Sequence, residues 1–264
     1  MADVVLLKLG GSLITEKARP DTARPEVIAR LAGEIARAAA AAPFRLIVAH
    51  GSGSFGHVAA KTHGIASGLR SPGQLPGISQ TQDRAAALHR LVIGALVEAG
   101  ALPFSIAPSS CVIAESGRPA AFAGEPLLLA LDRGLLPVLY GDVVLDREQG
   151  VAICSTEKLF DLLVRHLSAR GTAVRRALWL GETDGLYDAA GRTVPRVSAA
   201  SFAAAAEAIG APAGTDVTGG MLHRVETALA LARLGVPSLL ANGLTPGLLE
   251  TALGGGEIPG TEVV

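Results

Sequence analysis

The chain has 264 residues, 49% of them hydrophobic and 18% charged, with a formal net charge of −1. That length builds one large domain or two small lobes around a real core, and the near-neutral balance excludes a polybasic nucleic-acid or membrane surface. Aromatic residues at 3% leave little for stacking on bases, and the two cysteines, Cys111 and Cys154, far apart and in no metal-ligand spacing, suit a reducing compartment.

In chain order, "VVLLKL" (4–9) reads as a buried strand. No basic n-region precedes it, Lys8 interrupts its apolar run, and no stretch approaches the roughly 20 apolar residues of a spanning helix. The expected location is therefore cytoplasmic. The strand empties into "KLGGSLITEK" (8–17), where Gly10 and Gly11 with Ser12 make a turn ready for an anion. An unpaired ammonium is costly late in such a strand, so Lys8 needs a phosphoryl group or an ion pair, with Glu157 or Asp216 as candidates. The P-loop spacing G-x-x-x-x-G-K-[ST] is absent. Lys17 by itself reads as a solvated charge.

"PEVIARLAGEIARAAAA" (25–41) reads as a helix with Pro25 in its first turn. "FRLIVAH" (44–50) reads as a second strand and "QTQDRAAALHRLVIGALVEAG" (80–100) as a long helix. Short strands are expected at 103–106, 136–140, 142–146 and 151–154, followed by a helix at 156–169. "VRRALWLG" (174–181) reads as a strand, 198–210 and 221–235 as helices, and "VPSLLANG" (236–243) as a last central strand. This rhythm predicts an α/β fold, an open αβα sandwich around a mainly parallel sheet. One shared sheet is expected across an N-terminal half (1–170) and a C-terminal half (171–264) of a single domain, with ligands in the loops after the strands.

The second strand runs into "HGSGSFGH", a literal G-x-G-x-x-G at Gly51, Gly53 and Gly56, flanked by His50 and His57. A dinucleotide site needs a further strand ending in an acidic residue about 20 positions on. Here "SGLRSPGQLPGIS" (67–79) offers a Pro/Gly loop, so that reading fails. The physics of the turn remains. Glycines let backbone N–H groups approach an anion, the following helix adds its positive end, and Ser52, Ser54 and His57 can donate further hydrogen bonds. "DVTGGMLHRV" (216–225) supplies a third such turn, with Thr218, Gly219 and Gly220 opening a helix and Arg224 one turn in. "GETDGLYD" (181–188) closes a strand as a ribose or adenine site would. Three glycine turns at strand ends with cations nearby suggest a polyphosphate donor and an anionic acceptor meeting end to end.

Taken in order, "KLGGSLITEK", "HGSGSFGH", "YGDVV", "TDGLYD", "DVTGGM" and "GGGEIPGT" resemble the amino acid kinase superfamily and, within it, the isopentenyl phosphate kinases. The resemblance implies ATP-dependent phosphorylation of isopentenyl phosphate with Mg2+, in a homodimer. It implies that Lys8 stabilises charge on the transferring group, that Gly10, Gly11 and Ser12 bind donor phosphates with help from Lys17, and that Gly51, Ser52, Gly53, Ser54, Gly56 and His57 hold the acceptor phosphate. Gly141 and Asp142 would complete the acceptor side, and 58–90 would wall the hydrocarbon tail. Asp184, Gly185 and Tyr187 would lie near the nucleoside, and Thr218, Gly219, Gly220 and Met221 along the ATP tail. No carboxylate cluster demands a metal; Mg2+ would sit among phosphates and water. Three departures stand out: Glu157 in "CSTEKL" replaces a family aspartate that orients the lysines, Arg224 replaces a phosphate-binding lysine, and Gly181–Glu182 replaces Thr-Asp. The rival readings are a kinase of another small phosphate or phosphonate, of the fosfomycin type, and a non-catalytic nucleotide-binding protein of the same fold.

Overall fold

The computed structural model describes residues 3–41, 43–202 and 220–264. Its elements are β1 (Val4–Leu9), α1 (Gly11–Ile14), α2 (Pro25–Ala41), β2 (Arg45–His50), α3 (Gly53–Thr62), α4 (Leu75–Glu98), β3 (Pro103–Ser105), α5 (Pro108–Cys111), β4 (Val112–Glu115), β5 (Arg118–Phe122), α6 (Glu125–Asp132), β6 (Leu136–Tyr140), β7 (Asp142–Asp146), β8 (Gly150–Cys154), α7 (Thr156–Ser168), β9 (Val174–Gly181), β10 (Arg196–Val197), α8 (Gly220–Arg233), β11 (Ser238–Asn242), α9 (Leu248–Leu253) and β12 (Thr261–Val263). Most of the helix expected at 198–210 lies outside the described residues.

An eight-stranded sheet runs β10-β12-β11-β9-β1-β2-β6-β3. Its pairs are parallel except β11 with β12. Strands from both halves of the chain share it, as expected. Side chains alternate along each strand, so the sheet buries two different faces. Val4 and Leu6 of β1 face α7 and α8, packing with Phe160, Leu163 and Trp179 on one side and Val225 and Leu229 on the other. Val5, Leu7 and Leu9 face α2, α4 and α9, among Leu31, Ile35, Leu88, Val92 and Leu249.

Three expectations need correcting. The strands β7 and β8 leave the main sheet and join the hairpin β4–β5 in a second sheet of order β5-β4-β7-β8. That hairpin is short and contains Pro119, and its apolar stretches, "VIA" and "PAAF", are too brief to announce strands. The stretch 75–79, read as loop, is the first turn and a half of α4: Pro76 sits where a helix needs no N–H, and Gly77 leaves room for the His63 ring. Finally, β11 is a central strand as expected, but a strand the sequence did not announce, β12, follows it and pairs with it antiparallel, between β11 and β10.

The register makes five strands end level. Leu9 pairs with both His50 and Leu180, His50 with Tyr140, and Asn242 with Gly181. Four of these strands are continued by a glycine, namely Gly10, Gly51, Gly141 and Gly243, each donating one last ladder bond, to Leu180 O, Leu9 O, His50 O and Gly181 O respectively, at 2.8–3.0 Å. Beyond that line the chain turns away and the cleft begins.

Candidate active site

Two glycine turns meet at the centre of this edge. A Cβ on Gly11 would lie 2.6 Å from Gly53 N, and one on Gly51 would lie 2.8 Å from Gly11 N. The glycines are thus required by the packing of the two turns against each other, before any ligand is considered. Thr15 clips them together: its hydroxyl donates to Gly11 O at 2.7 Å and accepts from Ser54 N at 3.0 Å. Gly53 also needs its left-handed φ of +50° to open α3. Gly56 leaves space for the Ser52 hydroxyl, 2.7 Å from where its Cβ would be. The N–H groups of Gly11, Ser12, Ser52 and Gly53 have no protein acceptor among the described residues, and the buried Ser54 hydroxyl has no partner either. Four half-buried or buried N–H groups and a buried hydroxyl gathered at one spot make a ready set of donors for an anion.

Beside these turns lies a charged cluster on the α7 face of the sheet. Lys8, buried on β1, makes a short ion pair with Glu157 in the first turn of α7 and lies 5.4 Å from the centre of the Trp179 ring. Glu157, buried itself, is nevertheless held down to about 2, because Lys8 and Arg224 outweigh the burial that would raise it. Burial pushes Lys8 below its ordinary value, Glu157 opposes this, and Arg224 adds to it. Arg224 on α8 turns its guanidinium toward Gly181; its Nε is inaccessible and has no partner among the described residues. Among the described residues, two cations thus act on one carboxylate, with unpaired donors close by. The Thr156 hydroxyl, buried and without a partner, is the neighbour of Gly141 across the same cleft. The sequence offered no signal for Thr156, since a threonine in a helix's first turn is ordinary. Thr15 lies within "KLGGSLITEK", where a threonine past the glycine turn carries no signal of its own.

On α3, His57 Nδ1 donates to Gly53 O at 2.9 Å. The carbonyl cannot donate, so Nδ1 carries the hydrogen and the exposed Nε2 donates to an anion only in the imidazolium form. Asp142 is buried, and burial raises its carboxyl although Ser109 N, Val143 N and the Tyr140 hydroxyl all support the charge. Its oxygens are thus spoken for by protein donors.

On the far side, Asp184 accepts from Asn242 Nδ2 at 3.0 Å and lies 3.3 Å from the Tyr187 hydroxyl. Gly185, at φ +116°, is fixed by β12: a Cβ there would lie 2.7 Å from Thr261 N. Glu182 pairs with Arg24 at 2.7 Å, tying the end of β9 to the start of α2. Gly220 opens α8 with free space around it, and Met221 packs against the core. Thr218, Gly219 and Asp216 lie outside the described residues. Lys17 is exposed on the loop 16–22, whose Asp21 N–H reaches Ser54 O. Among the described residues no group of three or more His, Cys, Asp or Glu could hold a metal, and no helix is long and apolar enough to cross a membrane.

Parallel strands ending in paired glycine turns around a buried lysine define a class of phosphoryl-handling α/β protein. The chain belongs to the amino acid kinase family, whose pattern it matches over residues 3–242. It is 32% identical to the isopentenyl phosphate kinase of Methanothermobacter thermautotrophicus and 35% identical to that of Haloferax volcanii, each comparison covering 98% of both chains. A solved isopentenyl phosphate kinase structure superposes with a TM-score of 0.83 at 29% identity, over 99% of this chain and 100% of that one.

Proposed function

We propose that this chain transfers the γ-phosphoryl group of ATP to isopentenyl phosphate. A phosphate oxygen of the acceptor bonds to the γ-phosphorus as the bond to the ADP oxygen breaks, giving isopentenyl diphosphate and ADP. The observation that carries this reading is the Lys8–Glu157–Arg224 cluster, two cations to one carboxylate among the described residues, beside two abutting turns with unpaired N–H groups. It is the arrangement expected where two anionic phosphates must be brought end to end. The near-full-length similarity to two isopentenyl phosphate kinases supports the choice of acceptor.

In this reading Gly10, Gly11 and Ser12 receive the donor phosphates, with Lys17 on the adjoining loop and Arg224 opposite. Ser52, Gly53, Ser54 and the His57 imidazolium receive the acceptor phosphate. Lys8 lies between the two and meets charge that builds on the transferring group, and Glu157 orients both cations. Asp142 serves the acceptor side through the loop at Ser109 rather than by touching the anion. Asp184, Tyr187 and Asn242 flank the nucleoside. Mg2+, bound by the nucleotide phosphates and water, would supply further charge neutralisation; among the described residues no carboxylates form a cage for it. The halves 1–170 and 171–264 then take the acceptor and ATP respectively, and a cytoplasmic homodimer is the proposed working unit.

An apolar cluster of Ala60, Ile65, Val143 and Val151, flanked by Leu69, Ile78 and Ile153, lies beside α3. These side chains are packed core, so the choice of a hydrocarbon-tailed acceptor over a small polar phosphonate rests on the similarity to isopentenyl phosphate kinases. The test is ADP release with isopentenyl phosphate and, in parallel, fosfomycin. Turnover of the first alone, falling about 10²-fold in kcat/KM for His57→Ala, supports the assignment. Turnover of fosfomycin alone overturns it.

A further inference from the structure

His50, the other histidine that brackets the glycine run, plays no part in the reaction above, yet it is completely buried and at the centre of a polar chain. Its Nδ1 lies 3.1 Å from Gly51 O, and its Nε2 lies 3.0 Å from His89 Nδ1 on α4. His89 Nε2 in turn lies 2.8 Å from the Ser105 hydroxyl at the exposed end of β3. Tyr140 stacks on both rings, with centroids 4.3 Å from His89 and 5.8 Å from His50.

These contacts admit one assignment of hydrogens with neutral rings. Gly51 O can only accept, so His50 Nδ1 carries a hydrogen and Nε2 a lone pair. His89 must then donate from Nδ1, which leaves its Nε2 to accept from Ser105. Burial, foremost, keeps both rings neutral, lowering His50 to about 4 and His89, with His50 and Arg90 adding their repulsion, to about 3. The whole series of bonds points one way, from the surface hydroxyl to a carbonyl in the acceptor turn.

That carbonyl belongs to the Gly51–Ser52 peptide. In a trans peptide the C=O and N–H point in opposite directions. A Gly51 carbonyl drawn toward the His50 ring on the α4 face sends the Ser52 N–H the other way. Ser52 N has no protein acceptor among the described residues and lies 3.5 Å from the Cβ position of Gly141, which also neighbours the Thr156 hydroxyl, unpaired among those residues.

We propose that His50 and His89, anchored by Ser105, are positioning residues that lock the Gly51–Ser52 peptide so that the Ser52 N–H faces the acceptor phosphate. The inference rests on the reading that this turn takes the acceptor. Neither histidine touches substrate; both act through the orientation of one peptide plane.

The test has an arm that needs no turnover. In the free protein, long-range 1H–15N spectra read the tautomer of each ring, and both should carry hydrogen on Nδ1. With inorganic phosphate as probe, the Ser52 amide resonance should shift in the wild type and shift less in His89→Leu. In turnover, His89→Leu should raise the KM for isopentenyl phosphate about tenfold, the worth of one well-aimed hydrogen bond to a charged group, and leave the KM for ATP unchanged. His89→Asn, whose Nδ2–H replaces the Nδ1–H donor, should restore the acceptor KM. Ser105→Ala, an exposed change that spares the fold, should move it in the same direction by a smaller factor. An Nε2–H tautomer at His50, an unchanged acceptor KM in both His89→Leu and Ser105→Ala, or an asparagine variant as impaired as leucine overturns the proposal. Wild-type protein that turns over no isopentenyl phosphate, while Ser52 still responds to phosphate through His89, overturns only the acceptor assigned above.

Discussion

Two buried polar clusters stand back to back at the carboxyl edge of the sheet, and they are built on opposite principles. Lys8 of β1 points to the α7 face and joins the ionised Glu157 and Arg224, two basic groups to one carboxylate among the described residues. His50 of β2 points to the α4 face and joins His89 and Ser105 in a chain with no charge at all. The difference separates two tasks. A site that must attract and stabilise anions keeps its charges, and it tolerates unpaired donors that a ligand will complete. A scaffold that must hold one peptide still uses neutral, directed hydrogen bonds, complete without any ligand and indifferent to the charge passing nearby.

Breaking the charged cluster should have the largest effect. Lys8→Met removes the cation between the two anionic turns and should lower kcat about 10³-fold. Glu157 keeps Arg224 as a counter-charge, so the fold should survive, with only a moderate fall in Tm. Steady-state kinetics beside a thermal melt check both halves of the statement. A kcat within tenfold of wild type would remove Lys8 from the transferring group.

The second contrast is in acid. Both rings of the neutral chain titrate lower when folded, at about 4 and about 3, than at their ordinary 6.5. The unfolded chain therefore takes up protons first as pH falls, and stability declines from about pH 6.5 downward, by roughly 1.4 kcal/mol per pH unit for each ring held neutral. Glu157, held at about 2 against an ordinary 4.5, contributes stability that is complete above pH 4.5 and lost only below it. The uncharged cluster should thus fail first. Urea unfolding between pH 7 and 4 reads the slope, which should be shallower in His89→Asn. Equal slopes in the two proteins would mean that His89 is not held neutral.

How much of this was legible in the sequence follows from which contacts are local. The parallel strands of the main sheet are buried on both faces, so "VVLLKL" and "RALWL" announce themselves as apolar runs. The glycine turns were also readable, but their reason was not: Gly11, Gly51 and Gly53 are needed because the turns pack on each other, a contact between residues some 40 positions apart. Pairing of Lys8 with Glu157 was foreseeable because a buried ammonium must find a carboxylate and few candidates exist. The partner of His50 was not, since His89 looks like one more residue on a long helix. The hairpin 112–122 escaped because its strands lie in a small second sheet and their apolar stretches are only three and four residues long, the second opening on Pro119.

A smaller effect sharpens the account of the charged cluster. Arg224→Lys keeps the charge and gives up the planar fork. Because its guanidinium is one of two cations on Glu157, the lysine variant should keep the carboxylate paired and lose aim toward the donor phosphates. A KM for ATP raised about tenfold, with the acceptor KM unchanged, is the expected result. A rise in the acceptor KM instead would move Arg224 to the other side of the cleft.

The finest test concerns a residue with no side chain. A Cβ on Gly181 would stand 2.9 Å from Arg224 Nη1 and 3.8 Å from its Cζ. The arginine and the glycine therefore fit as a pair: the bulk of a guanidinium at 224 occupies the space that any side chain at 181 would need. The clash in Gly181→Ala falls on the far end of a flexible side chain, so the guanidinium can swing aside at little cost to the fold. Such a displacement should raise the KM for ATP by about threefold, well under the loss of a whole hydrogen bond, and leave Tm nearly unchanged. The double variant with Arg224→Lys decides the cause. If the alanine acts only by pushing the guanidinium, adding it to the slimmer lysine should cost nothing further, whereas independent, multiplying effects would place the role of Gly181 in its own backbone.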